Sequence, residues 1–461
     1  MSRSSAQPPL SFIAPNLDLK IVWLTKWLLP FWMRSKTSIA EVQAIDLEKL
    51  VRVYEDFEGQ KVRVLLAFRH PSVDDPVALG YVLSRLLPKT AQKMGVKLRH
   101  VTHAHFMYDR GIPLWAGKLM GKLYSKLGGT PIMRGKVDRV GLKSARKLLL
   151  DGQFPLLAAP EGGTNGHSEI ISPLEPGVAQ MAFWCAEDLQ KLGRDEKVVI
   201  VPIGVQYNYV NSPWAAIQQL LEELENDCGL TSSGHAIGET LDEHLYHRMY
   251  CLGEHLLSVM ELHYQRFYHC QLSPIDNLSS DSSDSNALFG QRLSRLMNNA
   301  LMVAEQYFGV QGRGTVIDRC RRLEQLSWEL IYRDDLNLET ACLLDHGLAD
   351  RIAEEASLRL WHMRLVEGFV AVTGKYVYEK MTVERFAETL LLTWEMVQKI
   401  CADRPVFNRP KLGKKISYVT IGDPILVSDR FEDYRRDRRS AKQAVALLTQ
   451  DLQTALQKMI R

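Results

Sequence analysis

The sequence predicts an α/β fold: a central mixed sheet flanked by helices and interrupted by a mostly helical insertion. Three observations predict it. Between about residues 60 and 212, short apolar runs alternate with stretches of helical periodicity, the pattern of βαβ units. From about 214 to 403 the pattern is helical almost throughout. A strand-like run, "ISYVTIGDPILV" (416–427), and one amphipathic helix then close the chain. A lone strand and helix cannot bury themselves, so economy assigns them to the first α/β domain.

The elements follow in order. Residues 1–17, rich in Ser and Pro, read as a flexible tail. "KIVWLTKWLLPFWMR" (20–34) is short, tryptophan-rich and interrupted by Lys26 and Pro30. It reads as an amphipathic helix in a bilayer interface, where Trp23, Trp27 and Trp32 suit the headgroup zone. The alternative is a buried helix capping the core. No apolar stretch reaches the roughly 18 residues of a spanning helix. Residues 38–58 have helical spacing of Ile39, Val42, Ile45, Leu47, Leu50 and Val53. Strands are expected at 62–68, 97–107 ("KLRHVTHAHFM"), "TPIMR", "FPLLAAP" and "VVIVPIGVQYNYV". Helices are expected after Asp75, where Asp75 can cap and Pro76 can occupy the first turn, over 111–129, over "VGLKSARKLLLDG" and over "PGVAQMAFWCAEDLQKLG". The Ser/Asp stretch near 273–286 divides the helical region as a disordered loop. The domains are therefore a tail and interfacial helix (1–37), a first α/β part (38–212), a helical insertion (213–410) and a closing α/β part (411–461).

The totals narrow the function classes. The chain has 461 residues, 46% hydrophobic and 24% charged, the balance of a globular protein with several domains. A net charge of +3 argues against a dedicated nucleic-acid binder. Seven cysteines without a C-x-x-C pair argue against a disulfide framework or a structural zinc site, and fit a reducing compartment.

Three segments could carry chemistry. In "FRHPSVDDP" (68–76) a strand ends in His70, with Asp75 five residues on. Ligands of open α/β sheets bind beyond the carboxyl ends of strands. An imidazole there can take a hydroxyl proton, with a carboxylate fixing its tautomer; a capped turn is the plain alternative. "APEGGTNGHSE" (159–169) follows another strand. Its amides could face an anion and Glu161 could hold a substrate hydroxyl, but it lacks the Lys of a P-loop. Arg134 follows a short strand and has the planar fork that matches phosphate. His100, His103 and His105 invite a metal reading, but no acidic or cysteine partner is close in sequence. No G-x-S-x-G elbow is present.

Four pieces occur in one order: "HPSVDD", "GGTPIMR", "PEGGT" and "VIVPIGV". This set resembles the glycerolipid acyltransferase family, whose members include 1-acylglycerol-3-phosphate acyltransferase. The resemblance covers about residues 60–212 and the late strand around "VTIGDPI". Two departures stand out: Arg69 where the family has Asn, and, in the third motif, an extra Gly and Asn165 where the family has Arg after the Thr. The resemblance implies transfer of a fatty acyl group from acyl-CoA or acyl carrier protein to the hydroxyl of 1-acylglycerol-3-phosphate or another lysophospholipid, in phospholipid biosynthesis. His70 is then the general base and Asp75 its carboxylate; Arg134, Glu161, Gly162, Gly163 and Thr164 bind the polar acceptor. No metal or redox cofactor is implied. The expected partners are membrane lipids and the thioester carrier, with no nucleic acid. The expected location is the cytoplasmic face of a membrane, bound peripherally through 20–34, plastid or other intracellular membranes included. A non-catalytic lipid-binding scaffold and an acyl-thioester hydrolase are the competing readings.

Overall fold

The computed structural model describes residues 5–99, 101–133, 138–231, 240–272, 285–369, 374–401 and 409–461. The chain forms two compact units. The α/β unit takes in the described residues from Ser11 to Asn211 and Lys414–Arg461. The helical unit takes in Ser212–Gly413 and the described part of the first ten residues.

In the α/β unit, helix α1 (Leu19–Lys36) precedes strand β1 (Ile39–Ile45), helix α2 (Leu47–Glu58) and strand β2 (Val62–Phe68). Helix α3 (Asp75–Tyr81) runs through a π-helical turn, Val82–Leu86, into α4 (Leu87–Lys93). Strand β3 (His105–Asp109), helices α5 (Ile112–Ala116) and α6 (Lys118–Lys126), β4 (Gly129–Ile132), α7 (Arg139–Asp151), β5 (Leu156–Ala158), α8 (Gly177–Lys191) and β6 (Lys197–Tyr209) follow.

The sheet order is β1-β7-β6-β2-β5-β3-β4, where β7 is Lys415–Ile421 and the short β8 (Ile425–Leu426) pairs with β6. Strands β2 through β6 run parallel; β7 is antiparallel to β6 and parallel to β1. The mixed, helix-flanked sheet bears out the predicted class. The central strands β2 and β6 are buried on both faces, so they read as continuous apolar runs. Side chains alternate between two cores. One face carries Val64, Leu66, Val201, Ile203 and Val205 against α2, α3 and α4. The other carries Leu65, Val198 and Ile200 against α7 and α8.

Some expectations fail. Residues 38–58 are not one helix. Asp46, at φ 57, breaks the segment between β1 and α2. The strand half is stabilised by pairing with residues 415–420, a partner remote in sequence. The 111–129 helix splits into α5 and α6 at Gly117, whose φ of 88 is outside helical geometry. The 97–107 strand shortens to His105–Asp109. Asp75 is the first helical residue rather than the cap, a position that Asp74 holds. The tail is tied down over its described part: Gln7 N–H bonds the Ile331 carbonyl at 2.7 Å, and the Ser125 hydroxyl bonds the Ala14 carbonyl at 2.6 Å.

Helix α1 starts at an Asp18 cap and packs on α3. Its Val22 and Met33 are buried, while Trp23, Leu24, Trp27, Leu28 and Phe31 are exposed. No described helix is long and apolar enough to cross a membrane.

The helical unit contains α9 (Trp214–Asp227), α10 (Leu241–Tyr268), α11 (Ser285–Phe308), α12 (Val316–Ile331), α13 (Leu343–Glu367), α14 (Tyr376–Glu379) and α15 (Val383–Cys401). Its core gathers Leu257, Met260, Leu301, Leu323 and Met363. Buried Arg248–Glu225 and Arg319–Glu305 pairs each make two hydrogen bonds. The expected Ser/Asp loop lies outside the described residues up to 284; Ser285 and Asn286 begin α11. The chain ends in α16 (Phe431–Arg436) and α17 (Arg438–Gln457), and α17 packs on α8.

Candidate active site

Strand β2 delivers its last residue, Phe68, to the carboxyl edge of the sheet, and the Arg69 amide adds one more bond to the Ile203 carbonyl at 2.9 Å. The chain then turns through 70–74 into α3. This turn brings His70 back onto the first residue of the helix: His70 Nδ1 lies 2.8 Å from Asp75 Oδ2. Asp75 is completely buried. Its Oδ2 also accepts from the Ser72 amide at 2.9 Å, and its Oδ1 accepts from the Tyr207 hydroxyl at 2.5 Å. All three groups donate, so the carboxylate works purely as an acceptor. Nδ1 of His70 therefore carries the proton. Nε2 is the basic nitrogen, on a side chain 21% exposed. Asp74 is turned elsewhere, accepting from the Ser38 amide at 3.4 Å.

Strand β5 delivers the second piece, the 159–172 loop. Glu161 is buried and spends its carboxylate on the protein. Oε1 accepts from the His70 amide at 3.0 Å; Oε2 accepts from Asn165 Nδ2 and the Ser172 amide, each at 2.9 Å. Burial pushes this carboxyl up, while Arg69 and the His70 and Ser172 amides pull it down. Gly162 sits at φ +70, a conformation that favours glycine, and a Cβ there would displace the Glu175 carboxylate, whose nearer oxygen lies 2.2 Å from that position. Gly163 is half-buried and Thr164 exposed.

Arg69 explains the first departure from the resembled motif. Its guanidinium is buried and donates to the carbonyls of His167, Ser168 and Ile170. Its Nε stands 3.9 Å from Glu161 Oε1. One planar fork therefore fastens the loop that carries Glu161 to the strand end that carries His70. Asn165 explains the second: it bonds Glu161, the Ile170 carbonyl and the His167 amide, closing the loop on itself.

The structure thus brings together His70, Asp75 and Glu161. Arg134 lies outside the described residues. On either side of it, Met133 and Asp138 are tied together: Asp138 pairs with Arg110 and accepts from the Met133 amide at 2.9 Å. His103 and His105 each bond a backbone carbonyl, of Leu127 at 2.8 Å and Gly128 at 3.0 Å, and both pack on the Phe154 ring. His100 is outside the described residues. Among the described residues, no group of three or more His, Cys, Asp or Glu is placed to hold a metal.

Sequence reasoning missed Tyr207. The signal was present: Val201, Ile203 and Val205 share one face of β6, and Tyr207 continues that face at period two. Residues 45–206 match the family model described as Acyltransferase. No curated protein and no solved structure matches the chain.

Proposed function

Because residues 45–206 are an acyltransferase domain of the glycerolipid acyltransferase family and the chain is an acyltransferase, we propose that it moves a fatty acyl group from an acyl thioester, acyl-CoA or acyl carrier protein, to the hydroxyl of a lysophospholipid such as 1-acylglycerol-3-phosphate. The observation that carries this reading is the His70–Asp75 pair, with Nδ1 held and Nε2 left for a substrate. Nε2 takes the acceptor hydroxyl proton as the oxygen attacks the thioester carbonyl. The imidazolium that forms faces the Asp75 carboxylate. When the tetrahedral intermediate collapses, the C–S bond breaks and the departing thiolate takes the proton back from Nε2. The products are an ester and a free thiol, and no acyl-enzyme forms. Positioned acid–base help of this kind contributes roughly 10²–10⁴ in rate. Metal and redox cofactors have no step in this scheme.

Glu161 acts as a brace for the loop rather than as a ligand of the acceptor, since its oxygens are occupied by protein donors. The polar acceptor is read by Thr164, the Gly162 and Gly163 backbone and Arg134. The exposed apolar face of α1 holds the enzyme peripherally at the membrane that supplies the acceptor. Product analysis with labelled acyl thioester and a panel of lysolipids tests the assignment. An acylated lysolipid is the expected product. Free fatty acid formed without an acceptor would make the chain a hydrolase, and no turnover at all would leave a scaffold.

A further inference from the structure

Asp75 is held from three sides, and one of them lies beyond the motif it belongs to. The Tyr207 hydroxyl reaches Oδ1 at 2.5 Å, 132 residues away in sequence. It comes from β6, four residues beyond the point where β6 and β2 cease to pair. The strand that flanks Tyr207 there is β7, which returns after the helical unit. Ser417 is its register partner, completely buried. By period two, Ser417, Val419 and Ile421 share the β7 face that meets the Asp75 side of the sheet. Tyr207 is itself buried. Its burial, then the charge and hydrogen bond of Asp75, hold the phenol well above its ordinary value. It therefore stays a proton donor at any working pH.

We infer that Tyr207 is a positioning residue for acyl transfer, fixing and partly neutralising the Asp75 carboxylate that orients the His70 base. The inference rests on the proposed His–Asp mechanism. A carboxylate held only by the Ser72 amide and His70 can rotate about its last bond, and Oδ1 would be a buried acceptor without its phenol partner. With the phenol in place, the plane of the carboxylate is fixed and the imidazole with it. The phenol also draws charge from the oxygens facing the imidazolium. Removing it leaves a more concentrated negative charge there, which holds the imidazolium proton more tightly, so the base becomes free only at higher pH. The other charged and titratable groups around the pair are Asp74, which caps α3, Arg69 and Glu161 behind the His70 amide, and Lys415 on β7, whose ammonium lies 6.0 Å from the Tyr207 ring centroid. Tyr207→Phe alters none of these.

The test compares the pH profiles of full-length wild type, Tyr207→Phe, Tyr54→Phe and His70→Ala. Tyr54 is the control: a buried phenol that bonds the His103 carbonyl at 2.9 Å. Tyr207→Phe should lower kcat about tenfold, leave KM for the lysolipid unchanged, and move the acid limb of kcat/KM up by about half a pH unit. Tyr54→Phe should leave the acid limb in place. A Tyr207→Phe enzyme with the wild-type kcat and acid limb, beside an inactive His70→Ala, overturns the positioning role alone. So does a Tyr207→Phe loss that appears only in KM, or only as less folded protein by circular dichroism. An active His70→Ala enzyme overturns the mechanism on which the inference stands.

Discussion

Replacing Arg69 with Ala tests the architecture under the site. The guanidinium is buried, serves three carbonyls and stands 3.9 Å from Glu161. Its removal strands those carbonyls and leaves Glu161 without its cation. Breaking a buried pair by deleting one partner costs on the order of 3–5 kcal/mol. Lys cannot replace it, because a single ammonium cannot span the carbonyls of 167, 168 and 170. The deficit also depends on pH. Burial already raises the Glu161 carboxyl above its ordinary 4.5, and losing Arg69 raises it further. A carboxyl raised in the fold favours the folded state below its unfolded value, and that contribution is lost as pH rises through the folded value. The Arg69→Ala penalty should therefore be smallest near pH 4 and grow above it. Adding Glu161→Gln should recover part of the loss, since no buried charge is then left. The assays are urea unfolding of the four proteins of this cycle across pH, and amide exchange of residues 159–172. A single-mutant cost under about 1 kcal/mol, or additive effects of the two substitutions, would refute the reasoning.

Two further predictions concern the other parts of the chain. His362 in the helical unit shares a hydrogen bond of 2.7 Å with the Tyr264 hydroxyl and is pushed down from 6.5 to about 4, by burial first and then by Arg359 and His263. Its contribution to stability is complete above pH 6.5 and is lost as pH falls towards 4, up to roughly 3 kcal/mol. His362→Gln should flatten that slope in urea unfolding, and an unchanged slope would contradict the assignment. On α1, Trp27→Ala with Phe31→Ala removes two exposed aromatics, and burying such side chains is worth about 1.5–3 kcal/mol each. Partition onto phospholipid vesicles should fall at least about tenfold; unchanged partition would place membrane contact elsewhere.

The residues that were legible in sequence are those whose signal is local. The apolar run of β2, the His70–Asp75 spacing and the glycine at 162 each announce themselves within a few positions. The His70–Asp75 contact needs only a turn, so its geometry follows closely from its spacing. Arg69 was visible as an oddity without an explanation. Its partners are backbone carbonyls about a hundred residues on, which no side-chain pattern marks. Strand β1 has a helix-like pattern because, among the described residues, β7 is its only strand partner, and its edge position leaves several residues half-exposed. In sequence, Glu161 looks available as a ligand because it lies in a glycine-rich loop. The fold turns it inward, a fact set by the 165–172 segment that folds over it.

The proposed mechanism stands on His70 as the base. Single-turnover acyl transfer with saturating lysolipid, comparing wild type and His70→Ala, measures it most directly. With His70 as the base, the transfer rate should fall by roughly 10²–10⁴, with lysolipid affinity retained and no acyl-enzyme trapped in either protein. A His70→Ala protein that transfers acyl groups at the wild-type rate would contradict it.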